Sequence, residues 1–318
     1  MNKLLKLISN PKKIILYFIK LKYISILFPS KIYLKIVYYL TMGKRLNLNK
    51  PLSFTEKMQW LKLYNHNPLY TEMVDKFEVK KIVARIIGEV KEYVANIIGK
   101  EHIIPTLGMW TKAEEIDFDS LPEQFVLKCT HDSGGLVICK DKKNFNIKAA
   151  KKKINKCLKV NYYLKYREWP YKNVKPRIIA EKYMEDMKTK ELRDYKFFTF
   201  NGKVKALFIA SERQNVKTDT KFDFFDENYV HLPFTNGHPN ADVLPEKPIH
   251  FDEMKILSEK LATDIPMVRC DFYEVNGKVY FGELTFYPCG GFYKPDDYEI
   301  DLEYGKRPKK SDKSITWC

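Results

Sequence analysis

The chain has 318 residues, of which 45% are hydrophobic, and a formal net charge of +16. This length and apolar content exclude a disordered chain and predict a sizeable core with more than one subdomain. The six cysteines have no CxxC spacing and accompany no recognisable secretory signal, which argues against a disulfide framework or structural zinc and predicts a reduced, cytoplasmic protein.

Residues 1–50 contain ten lysines, one arginine and no acid, interleaved with Ile, Leu, Tyr and Phe. Lysines interrupt every apolar run before it reaches the roughly 18 residues that a spanning helix needs. We therefore predict basic amphipathic helices, either on an anionic membrane surface or packed on the body of the protein. The charge alone also suits nucleic acid. No zinc-finger or RNP-like motif accompanies it, so no nucleic-acid partner is expected.

Residues 51–120 form the second predicted domain, an α/β subdomain. A turn at Pro51 precedes "SFTE", which has the spacing of a capping box at the start of a helix. The segment "NHNPL" ends that helix. A second helix is predicted over about 70–87 and a third over 89–98, before a short strand in "HIIPTLGMW".

Residues 121–318 are predicted to be the third domain, in which antiparallel hairpins alternate with helices. "FVLKCTHDSGGLVICK" has the pattern of strand, glycine-rich turn and strand, and two later hairpins turn at Asn201-Gly202 and Asn276-Gly277. Helices are predicted in "IKAAKKKINKCLKVNYY" and "FDEMKILSEKLATDI", with a short basic tail at the end. This pattern predicts an α+β protein.

Two groups of residues in this third domain suggest chemistry. Lys128 ends an apolar strand just before "THDSGG", where its ammonium and the N–H groups of the turn can face one phosphate. Asp271 and Glu283 lie on the two strands of the last hairpin and can offer oxygen ligands to one Mg²⁺. Taken alone, each pattern also fits an ordinary hairpin with solvated charges.

The order of motifs is more specific than any one of them. In chain order they are "VDKFEVKK", "FVLKCTHDSGGLVICK", "IIAEKYMED", "RDYKFFTFNGKVKALFIASER" and "RCDFYEVNGKVYFGELTFYPCGG". This order, together with the entry "SFTEKMQWLKLYNHNPLYTEM", resembles the ATP-grasp superfamily, and specifically its TupA-like branch, over about residues 51–292. The resemblance implies an ATP-grasp fold, in which two α+β lobes grip ATP, preceded here by the basic helical segment.

The resemblance also implies roles for individual residues. Lys76 and Lys128 match lysines that reach the nucleotide phosphates, and a glycine-rich loop closes over them. The hinge between the lobes, near residues 181–186, pairs adenine with its backbone, and an acid on the next strand faces the ribose. The implied ATP-binding residues are Lys76, Lys128, Ser133, Gly134, Gly135, Glu181, Lys182, Met184 and Asp194.

Asp271 and Glu283 match the Mg²⁺-binding carboxylates. Thr285 stands where the superfamily usually has asparagine, which leaves a second Mg²⁺ open. The implied catalytic residues are Lys196, which faces phosphate, and Arg213, which holds the γ-phosphate or the substrate carboxylate. Arg269 lies two residues before Asp271, so period-two alternation places it on the same face, where it can neutralise the transferred phosphoryl group; it is the third predicted catalytic residue.

The implied activity is ATP-dependent ligation of a carboxylate to an amine through an acyl phosphate, in surface-polysaccharide or teichuronopeptide assembly. The partners would be a carboxylate-bearing glycan or peptide precursor and an amine or amino acid. Two alternatives stay open. The branch is often labelled a glycosyltransferase, for which Asp223 and Asp226 offer an imperfect DxD-like pair, and a non-catalytic nucleotide- or glycan-binding scaffold would fit the change at Thr285.

Overall fold

A computed structural model describes residues 11–82, 102–132, 134–212, 219–293 and 298–307, with only the backbone of Lys22. The described helices are α1 (Pro11–Ile19), α2 (Lys22–Ile26), α3 (Ser30–Met42), α4 (Phe54–Tyr64), α5 (Leu69–Val74), α6 (Ile147–Leu158), α7 (Tyr162–Tyr166), α8 (Phe251–Leu261) and α9 (Tyr298–Gly305). The described strands are β1 (Thr106–Trp110), β2 (Phe125–Cys129), β3 (Leu136–Cys139), β4 (Ile178–Lys182), β5 (Asp194–Phe200), β6 (Lys203–Ser211), β7 (Lys221–Asp226), β8 (His231–Leu232), β9 (Met267–Glu274) and β10 (Val279–Thr285).

The chain forms two compact units. The first unit comprises Met1–Thr71, Asn161–Asn173 and Tyr287–Cys318, and the second comprises Glu72–Val160 and Val174–Phe286. The domain boundaries that we placed after residues 50 and 120 remain predictions.

Helix α3 carries the core of the first unit. Its buried side chains pack with Phe292 and with part of α4, and the fully buried members are Tyr33, Leu34, Val37 and Tyr38. Part of the basic segment therefore packs on the body of the protein, as one of the two alternatives predicted. No helix in the described part of the chain is long and apolar enough to cross a membrane.

The capping box at the start of α4 is confirmed. The Ser53 hydroxyl accepts a hydrogen bond from the Glu56 N–H, and the Glu56 carboxylate accepts one from the Ser53 N–H. The buried Asp301 of α9 adds two contacts, because it accepts from the Thr55 N–H at 2.9 Å and from the Thr55 hydroxyl at 2.7 Å. The sequence-local cap is thus tied to a helix distant in the chain.

The prediction of one helix over 70–87 was wrong. Helix α5 ends at Val74, and residues 75–78 form a turn before helical structure resumes at 79–82. Asp75 explains the interruption, because its side chain accepts the N–H groups of Phe77 and Glu78 and so caps a new helix start. The predicted helix at 89–98 lies outside the described residues.

The second unit contains two antiparallel sheets. The four-stranded sheet has the order β1-β4-β2-β3, and one of its faces packs on α6 through a buried cluster that includes Phe125, Leu127, Ala180 and Ile154. The six-stranded sheet has the order β10-β9-β5-β6-β7-β8. Helix α8 packs on one face of it and buries Phe251, Met254 and Leu257.

The two predicted hairpin turns are confirmed. The residues at both central positions have positive φ, at 50° and 74° for Asn201 and Gly202 and at 51° and 70° for Asn276 and Gly277. This is the conformation that Asn-Gly adopts at low cost and that matches the twist of the flanking strands. The second turn joins β9 to β10 and so fixes the strands that carry the predicted metal ligands.

Candidate active site

An apolar cavity of about 200 Å³ lies within the second unit, on the face of the four-stranded sheet opposite α6. Successive side chains of a strand point to opposite faces. On β2, Phe125 and Leu127 are therefore buried in the core, while Val126 and Lys128 line the cavity. On β3 the cavity-lining side chains Leu136 and Ile138 are 39% and 38% exposed. Two exposed aliphatic residues on one strand suit the flat face of an adenine ring.

The predicted hinge residues border the same cavity. Glu181, Lys182 and Met184 all line it, and the Lys182 N–H donates to the Pro105 carbonyl at 3.1 Å. Glu181 is buried and lies 2.6 Å from the Lys80 ammonium and 2.5 Å from that of Lys128. Burial raises the pKa of Glu181, but the two lysines outweigh that effect and lower it. Glu181 therefore positions Lys128 at the cavity.

Lys80 was missed by sequence reasoning. Its ammonium also donates to the Ile104 carbonyl and the Thr106 hydroxyl, at 3.0 and 2.6 Å, so it joins β1 to β4 through Glu181. The signal that could have found it is its position four residues after Lys76 in the same motif, "DKFEVKK".

The glycine-rich turn after β2 is held by Asp132. Its carboxylate accepts the Gly135 N–H at 2.9 Å, and the Lys76 ammonium contacts the Asp132 carbonyl at 2.5 Å. A Cβ at Gly135 would lie 2.6 Å from Cys129, so this position requires glycine, whereas Gly134 has open space around it. The structure thus brings Lys76 to the turn that the sequence places after Lys128. Ser133 lies outside the described residues.

The predicted catalytic and metal-binding side chains form two rows of cross-strand neighbours on β5, β9 and β10. The first row consists of the direct partners Lys196, Asp271 and Glu283. The second row consists of Arg269 and its partner Thr285. Directly opposite residues in antiparallel strands share a face, so five of the predicted site residues converge on one patch.

Arg269 and Lys196 both engage Asp271, which is fully buried. The Arg269 guanidinium donates to both carboxylate oxygens, at 2.6 and 2.7 Å, and the Lys196 ammonium donates to one of them. Arg269 also donates to the Thr285 hydroxyl at 3.1 Å. Lys196 lies 3.3 Å from the buried Asp194, so that acid belongs to the same network.

A β-bulge at Gly282 sets the register of Glu283. Phe281 pairs with Phe272, but Glu283 pairs with Asp271, so Gly282 is an extra residue in β10. Without the bulge, Gly282 would oppose Asp271, and Glu283 would point to the other face of the sheet. Counting outward from the Asn276-Gly277 turn places Asp271 and Glu283 at comparable strand positions, and it does not identify the bulge. The missed signal is the glycine inside a strand, a frequent mark of a bulge.

Glu283 experiences a strongly positive field. Burial alone would raise its pKa, but the charges of four cations outweigh it and lower the pKa to about 2. These cations are Lys76, Lys196, Arg269 and Lys128. All four are residues for which a role at phosphate was predicted, although they come from distant parts of the sequence. The lowered pKa of Glu283 therefore indicates that these four cations lie near one carboxylate.

The donor chemistry of this patch fits Mg²⁺. Glu283 lies 3.6 Å from Arg269, and its side chain is 39% exposed. The described residues contain no group of three or more His, Cys, Asp or Glu suited to a metal. A two-carboxylate site suits Mg²⁺ that is shared with nucleotide phosphates, because Mg²⁺ usually takes one or two carboxylates together with phosphate oxygens and water. Asp271 and Glu283 would supply those carboxylates.

The DxD-like pair, Asp223 and Asp226, lies on β7, outside this patch. Arg213 lies outside the described residues. Asp223 is buried and accepts the Ala241 N–H at 3.0 Å, and Asp226 accepts the N–H of Asn228 at 2.8 Å. The two acids of the DxD-like pair therefore hold loop backbone next to β7.

Comparison with known proteins gives the family. Among curated proteins, none matches the chain significantly. Similar solved structures include the D-alanine-D-alanine ligase of Helicobacter pylori, at 15% identity and a TM-score of 0.37, with 74% of this chain and 58% of that one covered. The D-alanine–D-alanine ligase of Bacillus anthracis complexed with ATP matches at 13% identity and a TM-score of 0.36, with 74% and 65% covered. The ATP-grasp ligase PsnB, complexed with minimal precursor, Mg and ADP, matches at 10% identity and a TM-score of 0.37, with 80% and 66% covered.

The chain thus spans less than two-thirds of the length of the two D-alanine ligases. A protein-family model described as "TupA-like ATPgrasp" matches residues 56–309 of the chain. This match covers most of the chain and confirms the predicted α+β, ATP-grasp fold. The chain belongs to the TupA-like ATP-grasp family.

Proposed function

We propose that this protein is an ATP-dependent ligase that joins a carboxylate to an amine through an acyl-phosphate intermediate. The observation that carries the proposal is the cross-strand patch in which Lys196 and Arg269 both contact Asp271, directly opposite Glu283. Lys76 and Lys128 add to the positive charge that acts on Glu283. Four cations around a carboxylate pair suit a Mg²⁺-bound polyphosphate. Lys128 also lines the apolar cavity, so one nucleotide can place its base in the cavity and its phosphates at Lys128.

In this proposal the protein contributes positioning and charge. Leu136, Ile138 and the hinge backbone bind adenine, and Asp194 faces the ribose. Lys76 and Lys128 bind phosphate oxygens, while glycines 134 and 135 let the loop backbone approach them closely. Mg²⁺, when held by Asp271 and Glu283, neutralises phosphate charge. Preorganised charges of this kind supply most of the catalysis in phosphoryl transfer.

The reaction then has two steps. In the first, an oxygen of the substrate carboxylate attacks the γ-phosphorus of ATP, the bond to the β,γ-bridging oxygen breaks, and ADP leaves. In the second, the amine nitrogen attacks the acyl carbon and loses a proton. The bond between the acyl carbon and the phosphate oxygen breaks, and inorganic phosphate leaves with its electron pair. Lys196 and Arg269 neutralise charge on the transferred group, and Arg213 is assigned to the γ-phosphate or the substrate carboxylate.

The substrates are proposed from the family resemblance. The acid would be a carboxylate of a cell-surface polysaccharide or of its glycan or peptide precursor, and the amine an amino acid or a simple amine. ATP as the phosphoryl donor is consistent with the predicted cytoplasmic location, which we retain as part of the proposal.

Calorimetric titration with ATP tests the site, and phosphate release tests the reaction. We expect Mg²⁺-dependent ATP binding by the native protein and its loss in Lys128→Ala. Phosphate release would then be screened over uronic acids and amino acids in pairs. Absence of ATP binding by the folded protein would refute the proposal. Turnover of a nucleotide sugar without ATP would favour the transferase, and ATP binding without phosphate release for any pair would favour the scaffold.

A further inference from the structure

The first unit exposes a row of apolar side chains on its two most N-terminal described helices. We call this row the α1–α2 surface, and its members are Ile15, Phe18, Tyr23, Ile26 and Leu27. Ile15 and Phe18 are spaced i, i+3 on α1, and Tyr23 and Ile26 have the same spacing on α2, with Leu27 directly after its end, so each set lies on one side of its helix. The exposed fractions of Tyr23, Ile26 and Leu27 are 81%, 56% and 76%.

These side chains are exposed although the segment has a buried face of its own. Helix α3 provides the core of the unit, and Leu16 and Ile19 of α1 pack against it, while no residue of α1 is fully buried. The same helices thus have apolar residues on an inner face and on an outer face. Exposed apolar residues that are grouped on helix faces in this way mark an interaction site.

The segment that contains the apolar row carries only positive charge. Residues 11–50 contain eight lysines, one arginine and no acid. On α3, the exposed residues Lys31, Lys35 and Tyr39 follow at intervals of four and form one stripe, and the Lys12 ammonium lies 5.7 Å from the centre of the Tyr39 ring. Apolar and aromatic residues flanked by lysines are the composition of helices that lie in a membrane interface.

We propose that the α1–α2 surface docks the protein on an anionic lipid bilayer. Ile15, Phe18, Ile26 and Leu27 enter the boundary between headgroups and acyl chains, and Lys31 and Lys35 face the lipid phosphates. The absence of any acid in residues 11–50 favours an anionic bilayer over a second copy of the chain, since two such surfaces would repel each other. The inference does not depend on the proposed ligase activity.

Co-sedimentation of the full chain with vesicles tests it. One set of vesicles contains phosphatidylcholine alone, and the other contains phosphatidylcholine with about 30% phosphatidylglycerol. Both sets are used at about 50 mM salt, so that salt screens the attraction between lysines and anionic lipid only weakly. We expect binding to the second set only. The double variant I26E/L27E should lower the partition coefficient by about a hundredfold, because each buried aliphatic side chain contributes roughly tenfold. The variant K31Q/K35Q should lower it by about twentyfold, at roughly fivefold per lysine.

Val243→Glu is the matched control, because Val243 is 85% exposed in the second unit and its substitution should leave binding unchanged. Unchanged thermal melting of each variant would show that folding is intact. Absence of native binding to anionic vesicles would overturn the proposal, and so would equal binding to both vesicle sets. A concentration-dependent dimer that I26E/L27E abolishes, without vesicle binding, would instead assign the surface to a second copy of the chain.

Discussion

Asp271 and Glu283 are direct partners across β9 and β10, and both are assigned to Mg²⁺. Their surroundings differ, so replacing each acid by its neutral amide should cost a different amount of unfolding free energy. Asp271 is fully buried between the Arg269 guanidinium and the Lys196 ammonium. Glu283 is partly exposed and lies 3.6 Å from Arg269. We therefore expect Asp271→Asn and Glu283→Gln to separate stability from metal-dependent nucleotide binding.

The magnitudes follow from burial. Asp271→Asn removes the carboxylate that the buried Lys196 and the partly buried Arg269 both contact, and breaking a buried pair in this way costs about 3–5 kcal/mol. At Glu283, the pKa of about 2 indicates that the surrounding cations stabilise the negative charge of the carboxylate. Because the Glu283 side chain is 39% exposed, solvent screening reduces that effect, and we expect Glu283→Gln to cost about 1 kcal/mol or less.

Urea denaturation measures the free energy of unfolding, and calorimetry with and without Mg²⁺ measures ATP binding. We expect both variants to lose the Mg²⁺-dependent part of binding, although only Asp271→Asn is strongly destabilised. Asp223→Asn is a suitable control, since Asp223 is a fully buried acid of the same sheet that contacts loop backbone. Equal destabilisation by Asp271→Asn and Glu283→Gln, or Mg²⁺-dependent binding that survives in Glu283→Gln, would refute the reasoning.

Three further substitutions test separate features. Gly282→Val places a Cβ 3.0 Å from the Asp271 carbonyl, so it should disturb the bulge and weaken Mg²⁺-dependent ATP binding in calorimetry; unchanged binding would contradict the role of the bulge. Ile138→Trp should fill the apolar cavity and lower ATP affinity at least tenfold with little change in melting temperature, and equal affinity would remove adenine from that cavity. Burial raises the pKa of Glu168 from 4.5 to about 7, so the stability it contributes is complete below pH 4.5 and is lost as the pH rises to 7. Glu168→Gln should make the unfolding free energy less dependent on pH over this interval in urea titrations, and an unchanged slope would contradict the shift.

The elements that the sequence predicted well have strong local signals. The capping box of α4 and the two Asn-Gly turns depend on contacts within a few residues, and all three formed as expected. The helix over 70–87 was mispredicted because apolar periodicity continues through residues 75–78, while the decisive contact is that of the Asp75 side chain with its own backbone.

The candidate site was predictable as an ordered set of motifs and not as a charge network. Period-two alternation placed Arg269 on the face of Asp271, and the bidentate contact is found. The pairing of Glu181 with Lys80 and Lys128 joins residues about 100 and 50 positions apart, and no local pattern encodes such a contact. The register of Glu283 likewise required the bulge, whose cause is a single glycine.

The ion pairs within the site explain how the fold accommodates such a dense group of charges. Arg269 and Lys196 share Asp271, Lys196 also lies 3.3 Å from Asp194, and Lys128 pairs with Glu181, so each of these cations contacts a carboxylate. Isolated buried charges are costly, whereas paired ones are tolerated. In our proposal, Asp271 and Glu283 would hold Mg²⁺, and Arg269, Lys196 and Lys128 would then contact phosphate oxygens instead of these carboxylates. Nucleotide without Mg²⁺ would leave Asp271 and Glu283 beside added negative charge, which is the physical reason to expect metal-dependent binding.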